Sequence, residues 1–388
     1  MARFILHIGQ SKTGTTAIQH FLAANRSVLR SMGILYPDIR NRGVCLGATD
    51  HNLVAWSLIG KISPIGVPFK DFLEGVEAEL RQYSTLHTVI LSAEAFLGEP
   101  HIWDFDSEEL WRQANQQKIQ TLHRLLQGHE VSVLVYLRRQ DYWVNSAFNH
   151  IVKVEGLVGR CLYSNIQELT EHLAPRLNYA QELRAWGEHF GRDAMVVRPY
   201  EKSQLVDGDA VSDFLVRIGL SGCSSRFVRP NYQESRNPGL PRDVLEVKRI
   251  LNRVPKSKSE ERVLIWALQK IGTEMPTPNL EWDFLLTSSE RCALIERYAS
   301  ANREVAESYL ASGTGALFRD PLPHASKEAE YPGLLAERVL AIMIRLYRTV
   351  ESMSARWLYW RYVVGDLARR HFFCGYIFLR PIYRKLVR

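Results

Sequence analysis

The chain predicts an α/β fold: a three-layer sandwich with a central parallel sheet, followed by a mostly helical C-terminal extension. Three observations carry this. Short apolar strand patterns recur at Phe4–Ile8, Thr88–Leu91, Val131–Leu137 and Ala194–Arg198. Stretches of helical period lie between them, for example Ala180–Phe190 ahead of Gly191. The run VSVLVYL at Val131–Leu137 is apolar at every position but Ser132, as a strand covered on both faces tends to be. Strands alternating with helices argue for βαβ units and a parallel sheet.

The elements follow in order. Phe4–Ile8 is the first strand, and Gly9 to Gly14 is a loop. Ala17, Ile18, Phe21 and Leu22 then give a helical face. Thr88–Leu91 runs into Ser92-Ala93-Glu94, Val131–Leu137 into Arg138-Arg139, and Ala194–Arg198 is the fourth strand. From Arg242 to about Phe318 the pattern is largely helical, broken by Asp320-Pro321-Leu322-Pro323-His324. The expected division is a domain over 1–320 and an extension over 321–388. In open parallel sheets ligands bind outside the carboxyl ends of the strands. The loop after the first strand, Glu94 after the second and Arg138 after the third all belong at that edge.

Composition bounds the partners. With 46% hydrophobic and 23% charged residues, 388 residues can bury a large core. A net charge of +7 favours anionic partners without naming one. Nucleic acid is not expected, since no recognised motif or compact Lys/Arg run occurs. Cys45, Cys161, Cys223, Cys292 and Cys374 are scattered, odd in number and free of C-x-x-C spacing. A reducing compartment fits, and a disulfide framework or zinc site does not. No leader or membrane span is read, and no metal site is expected.

The most informative stretch is Leu6–Thr16, LHIGQSKTGTT. A glycine-bearing loop between a strand and a helix aims main-chain N–H groups at an anion, usually a phosphate. Gly9 and Gly14 have the spacing of a Walker loop, but the lysine is Lys12, ahead of Gly14, and Thr15-Thr16 follow it. This is therefore not the G-x-x-x-x-G-K-[ST] signature. The plainer alternative is a tight turn with a threonine cap and an exposed lysine. A second group lies at Arg138 and Ser146. An arginine ending a strand and a serine eight residues on supply a planar fork and a hydroxyl for one phosphate. Taken alone they read as an ordinary surface arginine and a helix-surface serine.

Together these residues resemble the sulfotransferases that use 3′-phosphoadenosine 5′-phosphosulfate (PAPS), in their bacterial style. Lys12-Thr13-Gly14-Thr15-Thr16 matches the K-[ST]-G-T-[ST] loop that holds the 5′-phosphosulfate, and Arg138 with Ser146 matches the pair that holds the 3′-phosphate. Trp186 to Gly191 ahead of Tyr200-Glu201, and Asp213-Phe214-Leu215 ahead of Gly219-Leu220, are looser matches. The resemblance covers about residues 1–320. The proline that often follows the family's arginine is absent, and Glu234-Ser235-Arg236-Asn237 stands where an adenine-end glycine motif is usual.

The resemblance implies a P-loop NTPase-like fold and sulfuryl transfer from PAPS to a hydroxyl without a metal. The acceptor expected first is a carbohydrate or glycolipid hydroxyl, with a small alcohol and a peptide tyrosine also open, since loops such as Asn41–Trp56 and Val154–Asn165 that would form its pocket are generic in chemistry. It assigns Ser11, Lys12, Thr13, Gly14, Thr15, Thr16, Arg138 and Ser146 to the nucleotide. Lys12 also serves the chemistry, and Glu94 or His51 is the base. His7, inside the first strand, reads as a core residue. Two other readings stay open: a P-loop kinase for a small molecule or sugar, and a non-catalytic nucleotide-binding or membrane-scaffolding relative.

The last segment differs in character. Between 356 and 388 basic residues from Arg356 to Arg388 face a single acid, Asp366, and aromatics such as Trp357, Trp360, Phe372 and Tyr383 are interleaved. This is the composition of an interfacial segment on an anionic membrane, or of an arm packed on the catalytic domain. The expected location is cytoplasmic, peripheral to the inner membrane face.

Overall fold

The computed structural model describes residues 1–39, 49–61, 67–98, 104–158, 163–230, 239–254, 256–277, 279–310, 315–323 and 331–352. Glu234-Ser235-Arg236-Asn237, segment 356–388, Cys45, Cys161, Cys374 and parts of the 41–56 and 154–165 loops lie outside them. The chain forms two compact units of interleaved segments. The first takes 1–143, 171–236 and 292–322, and the second takes 144–170, 237–291 and 323–388.

The first unit is built on an all-parallel sheet: β1 (Arg3–His7), β2 (Ile34–Leu35), β3 (Thr88–Ser92), β4 (Glu130–Leu137) and β5 (Met195–Pro199), in the order β2-β3-β1-β4-β5. Four of these strands fall where the apolar runs predict them, and β2 is an addition. Side chains alternate across the sheet, as the period of two requires. Phe4, Leu6 and Ile8 join one buried cluster with Val89, Leu91, Val133 and Val135, while Ile5 joins another with Ile90, Leu134 and Tyr136. Helices Phe69–Gln82, Glu108–Leu125 and Tyr179–Phe190 cover the first face, and helices Thr15–Ala24 and Ala210–Arg217 the second. Phe4, Phe21, Phe72 and Phe96 are fully buried, each contributing roughly 2 kcal/mol. This is the three-layer α/β arrangement.

Local chemistry sets the helix starts. Ser107 accepts from the Leu110 amide at 3.2 Å and Asn178 from Gln181 at 3.2 Å. Asp209 accepts from Ser212 at 2.8 Å, each satisfying an orphan first-turn donor. The Trp186 motif is core: its ring is buried and stacked on Phe190 at 5.7 Å. Asp213 is likewise structural, buried and receiving Arg198 at 2.9 and 3.1 Å and the Tyr136 hydroxyl at 3.0 Å.

Residues 317–321 return to the sheet edge. Glu201 accepts from the amides of Arg319 (2.6 Å) and Asp320 (3.1 Å), and Gln204 donates to the Leu317 carbonyl at 3.0 Å. Arg139, only 2% exposed, pairs with buried Asp141 and donates to the carbonyls of Asp320 and Pro321, both at 2.9 Å.

In the second unit, helices Arg242–Leu251, Lys258–Glu274 and Ala336–Ser352 pack together. Lys248 and Glu261 form a fully buried ion pair at 2.6 Å. Ser257 and Glu260 cap the second of these helices reciprocally, as a capping box does. Asp243 accepts from Arg338 and Tyr331, both at 2.7 Å, fastening the third helix. Among the described residues no helix is long and apolar enough to cross a membrane.

Candidate functional site

β1 is the central strand, paired with β3 on one side and β4 on the other. The chain leaves β1 toward β2 and crosses from β3 to β4, so the sheet changes direction beside β1. A crevice at the carboxyl ends belongs there. Ladder bonds continue past β1: Ile8 N to Leu134 O (3.0 Å), Tyr136 N to Gly9 O (2.8 Å) and Gln10 N to Tyr136 O (2.9 Å). They carry the following loop alongside the end of β4.

Gly14 is the N-cap of helix Thr15–Ala24, with φ 77° and ψ 10°. This is left-handed backbone that glycine adopts without penalty. A Cβ there would stand 3.0 Å from the Ala210 Cβ and 3.3 Å from the Tyr200 hydroxyl, so conformation and space both demand glycine. Lys12 also has positive φ, 67°, in a region that non-glycine residues seldom occupy. The loop is tied down to keep it there. The buried Thr13 hydroxyl donates to the Gln10 carbonyl (2.5 Å), and the Trp143 indole donates to the Ser11 carbonyl (3.0 Å). Thr13 thus braces the loop from inside, whereas Thr16 lies exposed on the first helical turn. The first amides of a helix have no intrahelical partner, so this end offers donors and positive potential to an anion.

Glu94 meets this helix end: the Thr15 hydroxyl donates to its Oε1. Burial pushes the Glu94 carboxyl above the usual glutamate value, with Thr15 and Lys12 pulling it down and Asp50 adding to the rise. Burial pushes the Lys12 ammonium below its usual value, against the pull of Glu94, and Arg138 adds to the fall.

Arg138 closes the group. Its Nη1 donates to the Lys12 carbonyl at 3.2 Å, and its own amide donates to the Gln10 side chain at 3.3 Å. The Tyr179 hydroxyl donates to its carbonyl at 2.6 Å. The guanidinium stands 5.8 and 5.9 Å from the ring centroids of Tyr142 and Tyr200. The first unit therefore brings Lys12, Gly14, Thr15, Glu94 and Arg138 into one cluster at one edge. Ser146 stands in the second turn of helix Gln140–Val158 and belongs to the second unit.

His51 is differently employed. It is buried, and its Nδ1 accepts from the Ser92 amide at 3.0 Å. That leaves the proton on Nε2, which donates to the Pro37 carbonyl at 3.1 Å. Both nitrogens are thereby spent on main chain, and His51 staples segment 49–52 to the end of β3. Asn52 continues the staple, accepting from the Ala95 amide at 2.9 Å, while its own amide donates to Asp50 at 2.8 Å. His7 is buried, with Nδ1 against the Ser92 hydroxyl at 2.8 Å, and burial drives its pKa down to about 3.

Sequence reasoning did not single out Gln10, Asp50, Trp143, Tyr179 or Tyr200 as parts of the site. Tyr200 and Trp143 lie inside stretches that drew attention for other residues. Nothing local marks Asp50 or Tyr179. Among the described residues no group of three or more His, Cys, Asp or Glu side chains gathers to hold a metal ion.

No family model matches the chain, and no solved structure matches it. A protein of Archaeoglobus fulgidus described as "Uncharacterized protein" is 23% identical over 253 residues, a match covering 64% of this chain and 65% of that protein. The chain thus spans just under two thirds of the length of that relative, to which it is similar at this level alone.

Proposed function

We propose that the chain is a P-loop-like sulfotransferase of bacterial type, moving a sulfuryl group from PAPS to an acceptor hydroxyl on a carbohydrate or glycolipid. One observation carries the reading: Arg138 reaches the Lys12 carbonyl at the same strand edge where Glu94 meets the first turn of helix Thr15–Ala24. A strand-loop-helix cradle, a buried ammonium and a guanidinium suit a ligand with anionic groups at two places. The cradle suits such a group because Gly14 lets the loop turn into the helix against Ala210 and Tyr200, and a helix N-terminus directs amide donors and positive potential at an anion.

The donor, when bound, supplies an electrophilic sulfur whose leaving phosphate oxygen gathers negative charge. Each residue then has a task. The loop amides and Thr16 hold the 5′-phosphate end, while Thr15 holds Glu94 Oε1 and leaves Oε2 as the proton acceptor. Glu94 takes the proton of the acceptor hydroxyl as that oxygen bonds sulfur and the bond from sulfur to the bridging phosphate oxygen breaks. Lys12 donates to that bridging oxygen as its charge grows. A buried carboxyl of raised pKa is a stronger base than an exposed one, which suits Glu94. Arg138 takes the 3′-phosphate. His51, committed on both nitrogens, is left to structure. We place the enzyme in the cytoplasm, at the inner membrane face.

The test is thermal stabilisation of the purified protein by adenosine 3′,5′-bisphosphate, 5′-AMP, and ATP with magnesium. A ligand at about 100 times its dissociation constant adds roughly 2.7 kcal/mol. The expected result is a large shift with the bisphosphate and little with 5′-AMP. A shift confined to ATP with magnesium transfers the reading to a kinase. No shift with any of them favours a non-catalytic relative.

A further inference from the structure

Helix Ala336–Ser352 has two faces of different fate. Ile342 and Thr349 are buried, and Arg338 is held by Asp243, so one side faces helices Arg242–Leu251 and Lys258–Glu274. The opposite side carries Leu340, Met343, Ile344 and Tyr347, at the i, i+3, i+4, i+7 spacing of one continuous stripe. These four are 62%, 40%, 42% and 67% exposed, and Leu335 just ahead of the helix is exposed too. Scattered surface leucines need no explanation, but a contiguous apolar stripe does. Glu337 and Arg348, both exposed, border it.

We propose that this stripe is a docking face for an anionic membrane surface, on which the helix lies in the plane of the headgroups. The chain continues directly from it into residues 356–388, where basic side chains from Arg356 to Arg388 stand against Asp366 alone among many aromatics. Apolar stripe, adjoining cationic charge and interfacial aromatics form the combination by which amphipathic helices bind anionic bilayers. A second copy of the chain suits the stripe less well. A two-fold interface sets the same surface against itself and would supply no anionic partner for the cationic sequence that follows the helix. The helix lies on the bilayer and does not cross it, being neither long nor apolar enough. The inference is independent of the chemistry proposed above, though it would present the enzyme to a lipid-linked acceptor.

The experiment uses the full chain with vesicles of phosphatidylcholine alone or mixed with phosphatidylglycerol, at low and high salt. Sedimentation is expected with the anionic vesicles only, weakening as salt screens the charges. Leu340→Glu with Ile344→Glu should cut partitioning by ~tenfold or more at an unchanged melting temperature. Should that pair fail to fold, Met343→Gln alone should still lower partitioning about threefold. Failure of the full chain to sediment overturns the proposal, as does sedimentation that both variants leave intact. A dimer seen by light scattering and dissolved by the double variant assigns the stripe to a second copy instead. Stabilisation by the bisphosphate is read on the native chain in the same samples: its absence there counts against the donor reading, and absence of sedimentation there counts against the membrane face.

Discussion

Arg138 Nη1 donates to the main-chain carbonyl of Lys12 at 3.2 Å, across 126 residues of sequence. The bond ties the loop after β1 to the end of β4, in a place made by the strand order. Its neighbour Arg139 points its bonding capacity elsewhere, at Asp141 and the 320–321 carbonyls.

Adjacent arginines should therefore fail differently. Arg139→Ala strands the fully buried Asp141 carboxylate and should cost about 3–5 kcal/mol in urea unfolding. Arg138→Ala should leave the midpoint within about 1 kcal/mol and erase the preference for adenosine 3′,5′-bisphosphate over 5′-AMP, a charge-assisted contact of roughly 1.5–3 kcal/mol. If the two variants unfold alike and both keep that preference, the division of labour is wrong.

If the proposed transfer is right, Glu94 should set the acid side of its pH profile. Burial raises its carboxyl above the ordinary 4.5, and the base form needs it ionised. The acidic limb of kcat/KM should thus have its midpoint above 4.5. Glu94→Gln should remove that limb and lower kcat by about 10²–10⁴. The sign for stability is opposite. A raised carboxyl pKa means that ionisation weighs against the fold as pH rises, so Glu94→Gln should melt no lower than the native chain at neutral pH. A variant that keeps its turnover removes Glu94 from the base role.

How much of this could be read from the residues depends on how local each signal is. The strand patterns at Phe4–Ile8 and Val131–Leu137 locate β1 and β4 because burial on both faces writes a mostly apolar run, interrupted only by His7 in the one and Ser132 in the other. β2 escapes notice because Ile34–Leu35 is two residues long, too short for any period. The strand order is set by packing between distant segments and is invisible locally. Within the site, the glycine loop, Glu94 and Arg138 were legible as residues that follow strands. Thr13 looked like its threonine neighbours but turns inward to Gln10. His51 stood as the alternative base through the family resemblance, and only the fold reveals main chain on both its nitrogens. Asp50 reaches Glu94 through the staple at His51 and Asn52, which no spacing rule encodes.

His7 should govern acid unfolding. Its folded pKa lies near 3 against 6.5 unfolded, because burial excludes the charged ring. A depressed pKa gives stability that is whole above pH 6.5 and declines as pH falls toward 3. The slope from this one group is about 1.4 kcal/mol per pH unit. Unfolding free energies measured from pH 7 to pH 4 should decline less steeply in His7→Gln than in the native chain. Parallel curves would show that His7 titrates normally.

The return of residues 317–321 to the sheet bears on where a minimal fragment can end. The last helix of the first unit closes at Tyr309, the natural place to trim by eye. Trimming there would strip Glu201 of two amide donors and Arg139 of two carbonyl acceptors, leaving buried charge short of partners in the layer that presents Arg138. The shortest self-sufficient version of this unit is thus fixed by five residues without helix or strand, and a deletion series or a circular permutation should treat them as framework.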